Sequence, residues 1–189
     1  MYLAVIAAGL FAGFVNTLAG SGSLITLPLL MFLGLPANIA NGTNRIGVFV
    51  QSLVSSISFK KQKLYTVGES LWMSVPAIAG ALLGSLIAVK INERMMELLI
   101  GGLLVFMFFV ILYKPEQWVR DHAHSPAMKR RWWVPVVFFI IGIYGGFIQA
   151  GVGFFLLAAL VLGTGMGLTR ANAHKVLIVA AMTAIALVV

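Results

Sequence analysis

Cysteine is absent from the 189 residues, which excludes disulfides, thiol catalysis and thiolate metal sites. Acids are scarce: five Asp and Glu stand against thirteen Lys and Arg, for a net charge of +8. Of the three histidines, none belongs to an HExxH pattern, and His122 and His124 lie in a polar stretch, so no metal site is expected. No glycine-rich phosphate loop, serine–histidine pair or paired aspartates occurs either. The chain therefore reads as something other than an enzyme, with no cofactor and no direct ATP hydrolysis.

What it has instead is apolar sequence. Hydrophobic residues make up 61% and the mean hydropathy is +1.04, far above a soluble domain. The composition predicts an all-α integral membrane protein, a polytopic helical bundle in contact with the lipid bilayer. The first segment, Leu3 to Ala19, lacks the basic start and small-residue cleavage site of a signal peptide and reads as a retained span. Against that background the acids gain meaning. Glu69, Glu93, Glu97, Glu116 and Asp121 all fall between apolar segments or at their margins. A cation carrier ordinarily needs an intramembrane carboxylate, whereas an anion carrier needs donors and positive charge. The placement favours a small anionic substrate.

The stretch from Gly13 to Arg45 organises the rest. An apolar helix stops at Gly20-Ser21-Gly22-Ser23, a second apolar run follows, and Asn41-Gly-Thr43-Asn44-Arg45 opens the next helix. From Gly22 to Gly34 a helix of about 13 residues reaches only ~20 Å, short of a ~30 Å hydrocarbon core. It is a half-helix, a re-entrant segment or a span in thinned bilayer. Inside a membrane such a break survives only where protein buries it or where it lines a wet cavity. Broken helices whose N-terminal amides face the midplane are a common way to hold an anion.

The stretch also returns. Gly13-Phe14 matches Gly146-Phe147, Gly20-Ser-Gly22 matches Gly151-Val-Gly153, Gly34-Leu35 matches Gly167-Leu168, and Ala40-Asn41 matches Ala173-His174, at offsets of 131 to 133 residues. Four correspondences in order predict an internal duplication. The chain divides into a first transmembrane repeat over 1–113, a basic linker loop over 114–133, and a second repeat over 134–189 that is incomplete relative to the first. Spans are expected at Leu3 to Ala19, Thr43 to Phe59, Leu71 to Val89, Met95 to Tyr113, Val134 to Ala150 and from about Asn172 onward, with short runs at Leu24 to Leu33 and Phe154 to Leu162. Counterparts of two first-half spans are missing from the second half, so truncation, or completion by association as a homo-oligomer or larger assembly, is the expectation.

Orientation follows from the loops. Lys60 to Ser70 carries three basic residues and one acid, and Lys114 to Arg131 carries five and two. Both are cytoplasmic by the positive-inside rule, and the balanced Lys90 to Glu97 loop lies outside. Trp118, Trp132 and Trp133 flank the linker as interfacial anchors. Its charge reads as an anionic-lipid contact and not as a nucleic-acid site. An inverted arrangement of the repeats is favoured, because alternating access is easily built that way.

These motifs, together with Leu27-Pro28 and Gly34-Leu-Pro36, resemble those of the sulfite exporter TauE/SafE family of bacterial membrane permeases. The resemblance covers essentially the whole chain, although members are generally longer. It implies a multi-pass protein of the bacterial inner membrane that carries sulfite or related sulfur-containing or organic anions. The candidate site residues each have a plainer reading beside the functional one. Gly20, Ser21, Gly22, Gly151 and Gly153 bring amides and hydroxyls to an anion or simply let helices pack. Asn16 and Gln149 add side-chain donors or tie broken backbone together. Arg45 and Lys175 neutralise substrate charge or snorkel to an interface. Asn41, Thr43 and Asn44 line the site or cap a helix. His174 carries a coupling proton or is a hydrogen-bonded structural residue. The leading function is a secondary carrier of small anions working by alternating access. The alternatives are a channel-like or cation-coupled permease, and a non-transporting scaffold or partial subunit.

Overall fold

The computed structural model describes residues 2–112 and 131–189. Glu116, Trp118, Asp121, His122, His124 and nearly all of the predicted linker lie outside the described residues. Those described form eight α-helices and no strand: α1 Tyr2–Ala19, α2 Ser23–Phe32, α3 Ala37–Lys61, α4 Val67–Lys90, α5 Glu93–Leu112, α6 Val134–Phe147, α7 Val152–Thr164 and α8 Leu168–Val188. Among them α4 and α8 are each long and apolar enough to cross a membrane.

The distribution of side chains is inside out relative to a water-soluble bundle. Ile46, Val50, Val54 and Ile57 of α3, Leu86 and Ile87 of α4, and Phe106, Phe108 and Phe109 of α5 are exposed. Asn41, Asn44, Arg45, Ser52 and Ser56 of α3, Gln149, and His174, Lys175 and Thr183 of α8 are buried. Polar groups turned inward and apolar ones outward are what lipid as solvent demands.

Two helix starts differ from expectation. The polar Asn41 to Arg45 knot does not open α3. The helix begins at Ala37 behind Pro36, whose extended backbone (φ −52°, ψ 145°) forms the N-cap. Asn41, Thr43 and Asn44 thus sit in the second turn and beyond, where a side chain cannot cap the first amides. Likewise α8 starts at Leu168 and not near Asn172, because the extended Gly167 precedes it.

Helix packing is closest between α4 and α6, which run parallel through paired small residues. A β-carbon on Gly80 would fall 2.1 Å from the Phe139 carbonyl oxygen, and one on Gly84 would fall 2.0 Å from that of Ile143. Gly142 and Gly146 press in turn on Ala77 and Ala81. Small residues let backbones approach where apolar solvent provides no hydrophobic drive. Met73, Ala77, Ala81, Phe138, Leu156 and Ile178 are part of the surrounding core. The two sequence halves are therefore interlocked, with α4 of the first packed on α6 and α8 of the second.

Directions can be read from contacts. Arg45 near the start of α3 reaches Ala186 at the end of α8. Ser56 near the end of α3 meets Tyr65, whose ring lies 5.8 Å from that of His174 near the start of α8. So α3 and α8 are antiparallel. Both pairs of helices that precede them double back. Gly22 packs against Ala12 and Asn16, folding α2 onto α1, and Gly145 packs against Val152 while Gly163 lies beside Val134 and Trp133, folding α7 onto α6. The α1–α2 hairpin opens at the end where α3 starts, and the α6–α7 hairpin opens at the end where α8 starts. The two hairpins enter the bundle from opposite ends.

Candidate functional site

The hairpin tips meet. Gly20 (φ 77°) ends α1 and Gly151 (φ 72°) precedes α7; these left-handed conformations are the ones glycine adopts without steric cost. Gly20 lies directly on Gly153: a β-carbon on either would come within 2.5 Å of the other's backbone. Beside this contact is a small polar cavity of about 10 Å³, lined by Asn16, Gly20, Ser52, Gln149, Gly153 and Lys175, with Val48, Val152, Val176 and Val179 closing it. That volume accommodates about one water-sized centre.

Each tip is held by a cation from the other half of the chain. Lys175 on α8 donates from Nζ to the carbonyl oxygens of Asn16 (3.3 Å) and Thr17 (3.1 Å) in the last turn of α1. Arg45 on α3 donates to the carbonyls of Gly146 and Phe147 (3.2 Å), the last turn of α6, and to Ala186 (3.4 Å). A cation at a helix C-terminus satisfies carbonyls that lack intrahelical partners and opposes the negative end of the dipole. Both side chains are buried, Lys175 at 1% and Arg45 at 4% exposure. Neither has a carboxylate within 4 Å among the described residues.

The amides are tied in the same mirrored way. Asn16 donates to Gln51 (3.0 Å), which donates to Thr17 (2.7 Å); Gln149 donates to Thr183 on α8 (2.9 Å). Asn44 donates to Ser23 (3.0 Å) and accepts from Thr26, fastening α2 to α3. Asn41 donates to the Phe147 carbonyl (3.0 Å), while its Oδ1 is buried with no partner.

Five of the sequence-derived candidates, Asn16, Gly20, Gln149, Gly153 and Lys175, thus share one cavity. Arg45 and Asn41 line a neighbouring open recess of about 380 Å³ with Asn38, Ser85 and Ala186. Gly22 and Gly151 shape the tips without lining the cavity, Gly22 through its contact with α1 and Gly151 against Met107. Ser21 accepts from the Leu24 amide through its carbonyl. Thr43 is exposed on a largely apolar groove of about 710 Å³ between α1, α2 and α3. The lining of that groove suits an acyl chain and not an oxyanion. His174 stands apart, packed on α4 at Ser70 (2.8 Å).

Ser52 was missed, as was the Arg170–Glu69 ion pair (2.6 Å). The signal for Ser52 is present: Asn41, Arg45, Ser52 and Ser56 recur at helical spacing and are buried, marking one polar, inward face.

A profile of the family described as "Sulfite exporter TauE/SafE" matches residues 5–189. Similar proteins include a "Probable membrane transporter protein ORF9" of Sinorhizobium sp, 29% identical over 169 residues, covering 88% of this chain and 63% of the relative. A "Probable membrane transporter protein" of Haemophilus influenzae is 26% identical over 166 residues, covering 88% and 64%. The "Probable membrane transporter protein YfcA" of Escherichia coli strain K12 is 26% identical over 173 residues, covering 89% and 62%. The chain thus spans less than two thirds of the length of these relatives. No solved structure matches it.

Proposed function

The chain belongs to the sulfite exporter TauE/SafE family, and we propose that it is a secondary carrier of small anions, sulfite or a related oxyanion, that works by alternating access without ATP hydrolysis. The observation that carries this reading is the cavity at the hairpin tips. It combines a buried cation, Lys175, with the amide and hydroxyl groups of Asn16, Gln149 and Ser52. A pyramidal oxyanion asks for that set: positive charge plus several short donors converging on one point. The N-terminal amides of α2 and α7 begin beside the tips and add partial positive charge.

The antiparallel course of α3 and α8 supports an inverted arrangement of two repeats, and the hairpins then give each side of the membrane its own gate. Gly20 and Gly153 part to admit the anion. It takes over hydrogen bonds that Lys175 otherwise makes to the end of α1. Arg45, making the mirror-image contacts to α6 and lining the recess at the other end, guides the anion outward. The turn after α3 and the start of α6 share one end of the bundle, where Lys60, Lys61, Lys63 and Arg131 gather. The positive-inside rule makes that end cytoplasmic, and the protein is then multi-pass in the bacterial inner membrane.

The test is uptake of radiolabelled sulfite into proteoliposomes holding this chain, with sulfate and a sulfonate as competitors. Saturable, competable uptake that is lost in Lys175→Met protein of unchanged monodispersity is the expected result. Uptake no greater than that of protein-free liposomes, from inserted and folded protein, overturns the carrier reading in favour of a non-transporting scaffold or partial subunit.

A further inference from the structure

One buried titratable group takes no part in the anion site. His174 is fully buried near the cytoplasmic end of α8, and its two ring nitrogens have different surroundings. Ser70 donates its hydroxyl proton to the Thr66 carbonyl (3.1 Å). A Ser70 hydroxyl engaged in that way accepts at its 2.8 Å contact with His174 Nδ1, and we assign the ring proton of the neutral imidazole to Nδ1 on that basis. In that tautomer Nε2 carries a lone pair. It has no hydrogen-bond partner, and it stands 3.8 Å from Oε2 of Glu69, the same oxygen that Arg170 holds at 2.6 Å.

An acceptor facing a carboxylate in a buried position is the arrangement that one added proton relieves. We propose that His174 Nε2, together with Glu69, is the binding site for the proton that drives transport. This inference rests on the carrier reading for what the proton does, though not for where it binds. On protonation, Nε2–H becomes a charged donor to Glu69, beside the contact that Arg170 already makes to the same oxygen. Glu69 and Arg170 are each one third exposed, so the carboxylate is the route by which a proton from the cytoplasmic surface reaches the buried ring.

The surrounding groups leave this pair in control. Glu69 faces the ring from α4, Tyr65 from the turn before α4, and Arg170 from one turn earlier on α8 itself. From α3 the contact is the Ser56 hydroxyl, bonded to Tyr65 (2.7 Å), while Arg45 of α3 is engaged with carbonyls at the other end. Across α6 and α7 the one ionisable side chain is Tyr144, which donates to the Ala150 carbonyl (2.5 Å). The link to the anion site is direct in the chain. Residue 175, next on α8, is the lysine that holds the tip of α1, so a change in how α8 seats against Glu69 of α4 moves the cation of the anion site.

The experiment has two arms on the full chain in proteoliposomes. In the first, sulfite accumulation under an imposed pH gradient is compared with sulfite counterflow at equal pH on both sides. His174→Gln keeps a side-chain amide for Ser70 but binds no proton. It is expected to lose gradient-driven accumulation down to the level without a gradient while counterflow persists, and Glu69→Gln is expected to do the same. Accumulation that still follows the gradient in His174→Gln overturns the proposal. In the second arm, nitrogen-15 NMR of histidine-labelled protein, assigned by difference from His174→Gln, is expected to show an Nδ1–H tautomer at high pH that gains a proton at Nε2 as pH falls. An Nε2–H tautomer, or a ring that never titrates, overturns it whatever the transport result. If wild-type protein shows no counterflow yet His174 titrates as described, the carrier reading fails and the proton site stands.

Discussion

Gly20 and Gly153 touch backbone to backbone at the point where two hairpins from opposite ends of the bundle meet: a β-carbon on Gly20 would stand 2.4 Å from the Cα of Gly153. Gly20 also has φ 77°, a conformation that costs a residue with a side chain on the order of 1 kcal/mol. The two effects act together. Gly20→Ala is expected to lower stability by more than about 2 kcal/mol or to abolish a monodisperse product. The control is Gly13→Ala on α1, where an added β-carbon meets nothing within 4 Å and helix propensity improves by up to about 1 kcal/mol. Thermal unfolding in detergent followed by size-exclusion chromatography checks both, and a Gly20→Ala protein as stable as wild type would sink the account of the tips.

The parallel pair α4 and α6 gives a second steric test. Gly84→Val places its branch against a carbonyl oxygen that a β-carbon alone would approach to 2.0 Å. The two backbones must separate, with an expected loss of at least about 2 kcal/mol. Gly101→Val on α5, where nothing lies within 4 Å, is expected to change stability by less than about 1 kcal/mol. The same melting assay reads both.

Arg45 and Lys175 make mirrored contacts but are expected to separate by measurement. Arg45 satisfies three carbonyls, those of Gly146, Phe147 and Ala186. Arg45→Met leaves them without their donor and should cost about 2–3 kcal/mol in stability. Lys175 lines the tip cavity, so Lys175→Met is expected to weaken anion binding by tenfold or more, a loss of about 1.4 kcal/mol or greater. Sulfite-dependent protection against thermal unfolding, compared between the two variants, decides it. Equal loss of protection in both would argue against a distinct binding role for Lys175.

The Arg170–Glu69 pair is short at 2.6 Å, yet each side chain is one third exposed. Solvent screens such pairs, and their coupling is typically below about 1 kcal/mol. A double-mutant cycle with Arg170→Met and Glu69→Gln on thermal stability is expected to return a coupling in that range. A coupling of several kcal/mol would mean that the pair holds α4 to α8 as a structural clamp.

The glycine cluster at Gly20 to Gly22 was readable because backbone freedom, shortness of the following run and absence of charge all point to a broken helix. The recurrence at Gly146 to Gly153 added that there would be two such places. Helix starts were less readable: the Asn41 to Arg45 knot has the composition of a cap, but Pro36 fixes an extended residue five positions earlier and the helix begins there. Polarity alone could not tell a capping asparagine from Asn44, which uses its amide to pin α2, because both roles want the same side chain.

The sequence by itself determined that this chain lives in lipid and that its apolar runs are helices, since hydropathy and period are local properties. Only the tertiary structure decided that the two glycine breaks touch, that Lys175 of one half holds the helix end of the other while Arg45 returns the contact, and that His174 belongs to a different cluster from its neighbour in sequence. Adjacent residues on a helix point about 100° apart, so which partner each one meets depends on the helices packed around it: Ser70 of α4 for His174 and the end of α1 for Lys175, both distant in the chain.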